Sequence, residues 1–102
     1  MENLNTVKIG YKNYAIEKPD ELEVNDMEFF GTYSFVRSKI KISGKLSQDD
    51  KNHTFLHELI HAICTRFSLK ELSEDERTVD LLALGLYEAI QDNPHLFLMA
   101  DI

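Results

Sequence analysis

The sequence predicts an α+β domain in which a small antiparallel β-sheet packs on two helices. In the first 46 residues, apolar side chains alternate with polar ones, whereas in two later segments they recur at helical spacing. A chain of 102 residues is long enough for one modest core and too short for two. We therefore expect one domain over 1–102, with a β-rich part (1–46), a first helix (47–68) and a second helix (74–92).

The first strands are indicated by two alternating sets of apolar residues whose parity differs. These residues are Val7, Ile9 and Tyr11, followed by Tyr14 and Ile16. Because the parity changes at Lys12-Asn13, the pattern predicts either a bulged strand or a tight hairpin at that point. Pro19-Asp20 then ends the pattern.

A second hairpin is predicted by another pair of alternating sets. The first set comprises Phe29, Gly31, Tyr33 and Phe35, and the second comprises Ile40 and Ile42. Arg37-Ser38 lies between the two sets and is the expected turn. Gly44 follows the second set and marks the end of the β-rich part.

The first helix is predicted from its start signal and its periodicity. Ser47 precedes Gln48-Asp49-Asp50, which is typical of a capped helix with acidic residues in its first turn. From Ser47 to Phe67 the chain contains no glycine or proline. Apolar residues recur at helical spacing over this segment: Phe55, Leu56, Leu59, Ile60, Ile63 and Phe67.

Within this helix, the motif His57-Glu58-Leu59-Ile60-His61 has the spacing of a metal hydrolase. Histidines four residues apart lie on one face of a helix, where both imidazoles can bind one Zn²⁺ ion. The carboxylate of Glu58, between them in sequence, is the expected general base. We therefore predict His57 and His61 as zinc ligands and Glu58 as a catalytic residue.

A catalytic zinc usually has three protein ligands, and the second helix offers the third. Its apolar face is formed by Val79, Leu82, Ala83, Leu86 and Ile90. Glu76 and Asp80 lie near the edge of that face, although carboxylates are rarely buried without a partner or a metal. An antiparallel pair of helices would bring Glu76 opposite the two histidines, with Glu74, Asp75 and Asp80 as alternatives.

The two segments TFLHELIHAI and ERTVDLLALGLYEAIQDNP resemble the gluzincin class of zinc metallopeptidases. More closely, they are similar to small phage-encoded and bacterial zinc-peptidase-like proteins related to the ImmA/IrrE family. The similarity covers roughly residues 47 to 95. It implies a minimal zincin-like domain with His57, His61 and Glu76 as zinc ligands, Glu58 as the general base, and Asp80 as the acid that accepts a hydrogen bond from a ligand imidazole.

The resemblance also implies how a substrate would bind. In such peptidases an edge strand beside the metal helix aligns an extended peptide through backbone hydrogen bonds. Here that strand would be Gly31 to Val36. Tyr33 on this strand is a candidate for stabilising the developing oxyanion, with packing on the sheet as the alternative. The implied reaction is hydrolysis of a peptide bond in a protein or peptide, such as a regulatory protein.

Three further residues near the motif have simpler interpretations. His53 lies one turn before His57, but three histidines along one helix span too far for one zinc ion, so we interpret it as a surface residue. Cys64 is expected in the core. His95 follows Asn93-Pro94, where the chain could fold back towards the site, although its spacing does not require this.

Composition excludes several classes of function. With 18 acidic and 11 basic residues and no basic cluster, direct binding to nucleic acid is disfavoured. No signal peptide or membrane-spanning run is found, and the one cysteine fits a reducing compartment, so we expect a cytoplasmic protein. The sequence does not indicate an oligomeric state. Two other classes stay open: a catalytically inactive, zinc-stabilised protein-binding module, and an acidic interaction protein with incidental histidines.

Overall fold

Over the part of the chain that the structure describes, six strands precede three helices, which confirms the α+β class. The structure is a computed structural model that describes residues 4–24 and 27–96, so the predicted limits of the domain, 1 and 102, lie outside the described residues. The elements are β1 (Thr6–Ile9), β2 (Lys12–Glu17), β3 (Glu23–Val24), β4 (Met27–Glu28), β5 (Gly31–Ser34), β6 (Lys39–Ile42), α1 (Gln48–Phe67), α2 (Lys70–Glu74) and α3 (Glu76–Asp92).

The main sheet has the strand order β1-β2-β6-β5 and is mixed, whereas the sequence predicted an antiparallel sheet. β2 pairs with β6 in parallel, with Ile16 opposite Ile40. The reason is burial: Ile40 and Ile42 are almost fully buried, so β6 takes a central position between β2 and β5. β3 and β4 pair antiparallel in a separate sheet.

The two predicted hairpins are present, but one turn differs from the prediction. β1 and β2 join through Gly10 and Tyr11, because Ile9 pairs directly with Lys12 and Gly10 has φ of 63°. A positive φ at the first position of a two-residue turn suits glycine. The predicted turn at Lys12-Asn13 is therefore wrong. β5 and β6 join around Arg37-Ser38, as predicted, with Ser38 at φ of 54°.

α1 forms as the sequence predicted. It begins after Ser47, whose hydroxyl accepts a hydrogen bond from the Asp50 amide at 3.1 Å, and it ends before Ser68, which has a left-handed φ of 57°. Its inner face packs on the sheet and contributes Phe55, Leu56 and Ala62 to the core. The last residue of α1, Phe67, is 62% exposed and is not part of that core.

The segment predicted as a loop around 70–73 is a short helix, α2, and α3 follows it at once. α3 runs antiparallel to α1, which lies between the sheet and α3. Val79 and Ala83 of α3 are fully buried against α1, whereas Leu82, predicted on the same face, is half exposed. The predicted ligands His57, His61 and Glu76 meet between α1 and α3.

Candidate metal centre

Two histidines and one glutamate meet at the N-terminal end of α3. His57 Nε2 lies 3.0 Å from Glu76 Oε2, and His61 Nε2 lies 2.8 Å from Glu76 Oε1. Their ligand atoms all lie within 4.8 Å of one another. In the described part of the chain, this is the one group of three or more histidine, cysteine or acidic side chains close enough to share a metal ion. The structure thus brings together the three residues predicted as ligands.

The opposite ring nitrogen of each histidine also has a partner. His57 Nδ1 lies 3.0 Å from Asp80 Oδ1, and His61 Nδ1 lies 2.8 Å from Ser73 Oγ. An ionised carboxylate only accepts hydrogen bonds, so Asp80 suits a proton on His57 Nδ1, and Nε2 is then the ring atom that faces Glu76 and would bind a metal ion. Asp80 therefore has the position that was predicted for it.

Ser73 was missed by the sequence analysis because it was assigned to a loop. It lies in α2, and that short helix carries its hydroxyl to the Nδ1 side of His61. Its spacing from the motif contains no signal of this role. The contact depends on how the chain turns between α1 and α3, which is a property of tertiary structure.

His53 is partly buried, so its interpretation as a surface residue is wrong. Its Nε2 lies 3.1 Å from Asp80 Oδ1 and 3.3 Å from the Asp80 carbonyl oxygen. The Asp80 carboxylate therefore lies between the imidazoles of His53 and His57. The sequence did contain a signal for the contact between His53 and Asp80. His53 and His57 have the same four-residue spacing as Glu76 and Asp80, which lie on the antiparallel partner helix.

Glu58 is 8% exposed and lies against the edge strand β5. A Cβ atom at Gly31 would lie 3.2 Å from Glu58 Oε2 and 2.5 Å from Thr54 Cγ2. Such distances are shorter than ordinary van der Waals contacts, so β5 can approach α1 this closely because residue 31 has no side chain. The carboxylate of Glu58 is therefore close to the backbone of the edge strand.

The ionisable groups of the site are shifted by burial and by one another. Burial, followed by the charge of Glu76, raises the pKa of Glu58 to about 7, against the opposing effect of His57. Burial lowers the pKa of His61. Burial acts in the same direction on His57, but the hydrogen bond to Asp80 and the charges of Glu58 and Glu76 outweigh it, so the pKa of His57 is raised.

Tyr33 lies beside the candidate ligand His61, but its hydroxyl is already hydrogen-bonded. It donates to Thr65 Oγ1 at 2.9 Å and lies 3.2 Å from the hydroxyl of Tyr14. The Tyr33 ring is stacked with the ring of His61, with centroids 6.5 Å apart. Burial raises the pKa of Tyr14, which therefore stays protonated. The oxyanion role of Tyr33 stays a prediction.

The alternative ligands are engaged elsewhere. Asp75 caps α3 by accepting hydrogen bonds from the amide and hydroxyl of Thr78 at 3.1 and 2.7 Å, and these bonds lower the pKa of Asp75. Glu74 lies 3.9 Å from Lys70 one turn earlier. His95 is exposed. Cys64 is buried, as predicted.

The two histidines and Glu76 form a donor set suited to zinc. Imidazole nitrogen and carboxylate oxygen are ordinary zinc ligands, and a set of three protein ligands leaves a position for water. Comparisons of the chain with protein-family models, with curated proteins and with solved structures found no match. Among the described residues, no helix is long and apolar enough to cross a bilayer.

Proposed function

We propose that this protein is a zinc-dependent metallopeptidase of the gluzincin type, related to the ImmA/IrrE family, that hydrolyses a peptide bond. One observation carries the proposal. The Nε2 atoms of His57 and His61 converge on the carboxylate of Glu76, while their Nδ1 atoms are held by Asp80 and Ser73. Zinc-binding histidines characteristically have such a partner on the second ring nitrogen, because it fixes the tautomer and the orientation of the ring.

In this proposal His57, His61 and Glu76 hold the zinc ion. Zinc, when bound, lowers the pKa of water towards neutrality and polarises the scissile carbonyl group. Glu58 takes the proton of the attacking water and passes it to the leaving amine. Its carboxylate suits this role because it is largely buried, lies between the two ligand histidines in sequence and accepts no hydrogen bond from another described residue that would hold it away from the site.

The edge strand supports a peptide as the substrate. The amide of Ser43 donates to the carbonyl of Phe30 at 2.8 Å, and β5 pairs with β6 in antiparallel register. Because the hydrogen-bonding direction alternates along a strand, the backbone groups of Gly31 and Tyr33 point away from β6. β5 is the last strand of the sheet, so these groups are available to an extended peptide that adds to it.

A panel of random-sequence decapeptides, analysed by mass spectrometry, tests the activity without a known substrate. We expect the zinc-loaded protein to cleave some of these peptides, and Glu58→Gln to bind zinc while losing at least about a hundredfold of the cleavage rate. Glu88→Gln, an exposed position on the far side of α3, is the matched control. Cleavage that is equal in the Glu58 and Glu88 variants would refute the role of Glu58.

One observation favours a second candidate, a zinc-stabilised binding module without activity. The three candidate ligands and their hydrogen-bond partners connect α1, α2 and α3, since His57 belongs to α1, Ser73 to α2 and Glu76 to α3. A metal at this position would therefore strengthen the domain. The absorption spectrum of the cobalt-substituted protein separates the two functions, because an open coordination position responds to added anions and a closed one does not.

A further inference from the structure

The solvent-facing side of α3 carries a stripe of four residues that the metal centre does not use. Arg77, Leu81, Leu84 and Glu88 follow one another at intervals of four, three and four residues, so they lie on one line along the helix. All four are exposed, with 54% of Leu81 and 37% of Leu84 accessible. α3 buries its other side against α1, so this outer stripe forms an outer surface of the domain.

Gly85, next to Leu84, is the second feature of this surface. A Cβ atom at Gly85 would meet nothing within 4 Å, and Gly85 does not have a positive φ. Glycine weakens a helix relative to alanine, and neither space nor backbone conformation in the single chain requires it here. Its lack of a side chain lets the backbone of a second helix approach the outer stripe closely.

The charges at the two ends of the outer stripe determine what can pack on it. Arg77 and Glu88 have no ion pair or hydrogen bond with another described residue. In a parallel pairing of two α3 helices, Arg77 would face Arg77 and Glu88 would face Glu88. In an antiparallel pairing, each Arg77 faces the Glu88 of the other copy, so the outer stripe is complementary to itself.

We propose that two copies of this chain pair through the outer stripe of α3, with their α3 helices antiparallel about a two-fold axis. The intervals of the stripe read the same in both directions, so Leu81 of one copy meets Leu84 of the other while Arg77 meets Glu88. This matches the pairing of core positions in an antiparallel coiled coil. The proposal does not depend on the metal centre, which lies between α1 and α3.

The size of this surface sets the strength of the dimer. One helix face from each copy buries less than the roughly 1,200 Å² of the smallest standard interfaces. The net charge of −7 on each copy also opposes association, although salt at physiological strength screens it beyond about 8 Å. We therefore expect a Kd on the order of 100 μM.

Sedimentation equilibrium of the full chain, from about 5 to about 500 μM, tests the pairing. Arg77→Glu and Glu88→Arg should each weaken the dimer at least about tenfold, because each places like charges opposite one another. The double variant R77E/E88R restores opposite charges and should return the Kd to within about threefold of the wild-type value. Arg37→Glu, an exposed charge reversal away from α3, should leave the wild-type Kd unchanged.

The proposal would be overturned by a wild-type chain that is monomeric throughout, by single variants that behave like Arg37→Glu, or by a double variant without recovery. Circular dichroism checks that each variant is folded. We expect all of them to fold, because the substituted side chains are exposed. Leu81→Asn supplies an independent readout because it leaves both charges in place. It should also weaken the dimer at least about tenfold, and an unchanged Kd would equally contradict the pairing.

Discussion

The Nδ1 atom of His57 lies 3.0 Å from Oδ1 of Asp80. Because Asp80 comes from α3 and His57 from α1, this contact fixes the ring of a candidate metal ligand from the opposite helix. His53 lies on the other side of the same carboxylate oxygen, at 3.1 Å. The orientation of His57 thus depends on groups that do not themselves belong to the candidate ligand set.

Replacing Asp80 tests that dependence. We expect Asp80→Ala to weaken zinc binding about 10- to 100-fold, because the His57 ring loses the acceptor that sets its tautomer. Competition with a chromophoric chelator measures the affinity. Asp92→Ala removes an acidic residue at the end of α3 and serves as the control. Equal zinc affinities of the two variants would show that Asp80 does not orient His57.

Ser73 has the corresponding position at His61 and gives a second prediction. Ser73→Ala removes the hydroxyl that lies 2.8 Å from His61 Nδ1, so zinc affinity should fall by about tenfold. Ser73→Thr keeps a hydroxyl and should retain most of the affinity. The same competition assay measures both variants, and a Ser73→Ala protein with wild-type affinity would contradict this role.

Replacing Gly31 and Gly85 by alanine should change the stability of the protein in opposite directions. Gly31→Ala introduces a Cβ atom 2.5 Å from Thr54 Cγ2, so we expect it to lower the free energy of unfolding by about 1–3 kcal/mol. Gly85→Ala meets open space in a helix and should raise the free energy of unfolding by about 0.5–1 kcal/mol. Urea unfolding at low protein concentration measures both. Gly31→Ala as stable as the wild type would contradict the close approach of β5 to α1.

The pH dependence of the metal-free protein follows from Glu58. Burial raises its pKa in the folded state to about 7, above the ordinary value of 4.5, so folding favours the protonated acid. The stability contributed by protonated Glu58 is complete below about pH 4.5 and is lost as the pH rises through about 7.

Glu58→Gln removes this pH dependence. In the presence of a chelator, its stability relative to the wild type should increase from pH 5 to pH 8 by about 2–3 kcal/mol, because the glutamine stays neutral. Urea unfolding at the two pH values measures this difference. A difference of the same size at both pH values would show that Glu58 does not carry the raised pKa.

The sequence predicted the parts of the fold that local patterns determine. The apolar period, the Ser47 cap and the absence of helix breakers define α1, and alternation defines the strands. The parallel pairing of β2 with β6 was not predictable, because it joins strands from different hairpins and alternation does not specify the neighbour of each hairpin. The most buried strand became central, which is a result of packing the whole core.

The candidate site also combines residues whose positions local spacing predicts with residues whose positions only the tertiary structure determines. His57, Glu58 and His61 are fixed by spacing within one helix, and Glu76 and Asp80 by spacing within another. The structure brings these two sets together as expected. Ser73 depends on the path of the chain between the helices, and His53 on the position of Asp80 opposite it. Contacts of this kind depend on how the helices are placed relative to one another. The spacing of residues within one helix does not specify that placement.

Zinc titration of metal-stripped protein tests the central claim most directly. The account predicts that the wild type and Glu74→Ala each bind one zinc ion per chain, while Glu76→Ala binds at least about a hundredfold more weakly because it lacks a ligand. Glu74 is the matched control, since it lies two residues away and pairs with Lys70 instead. A wild-type chain that binds no zinc, or a Glu76→Ala chain that binds it as tightly as the wild type, would contradict the account.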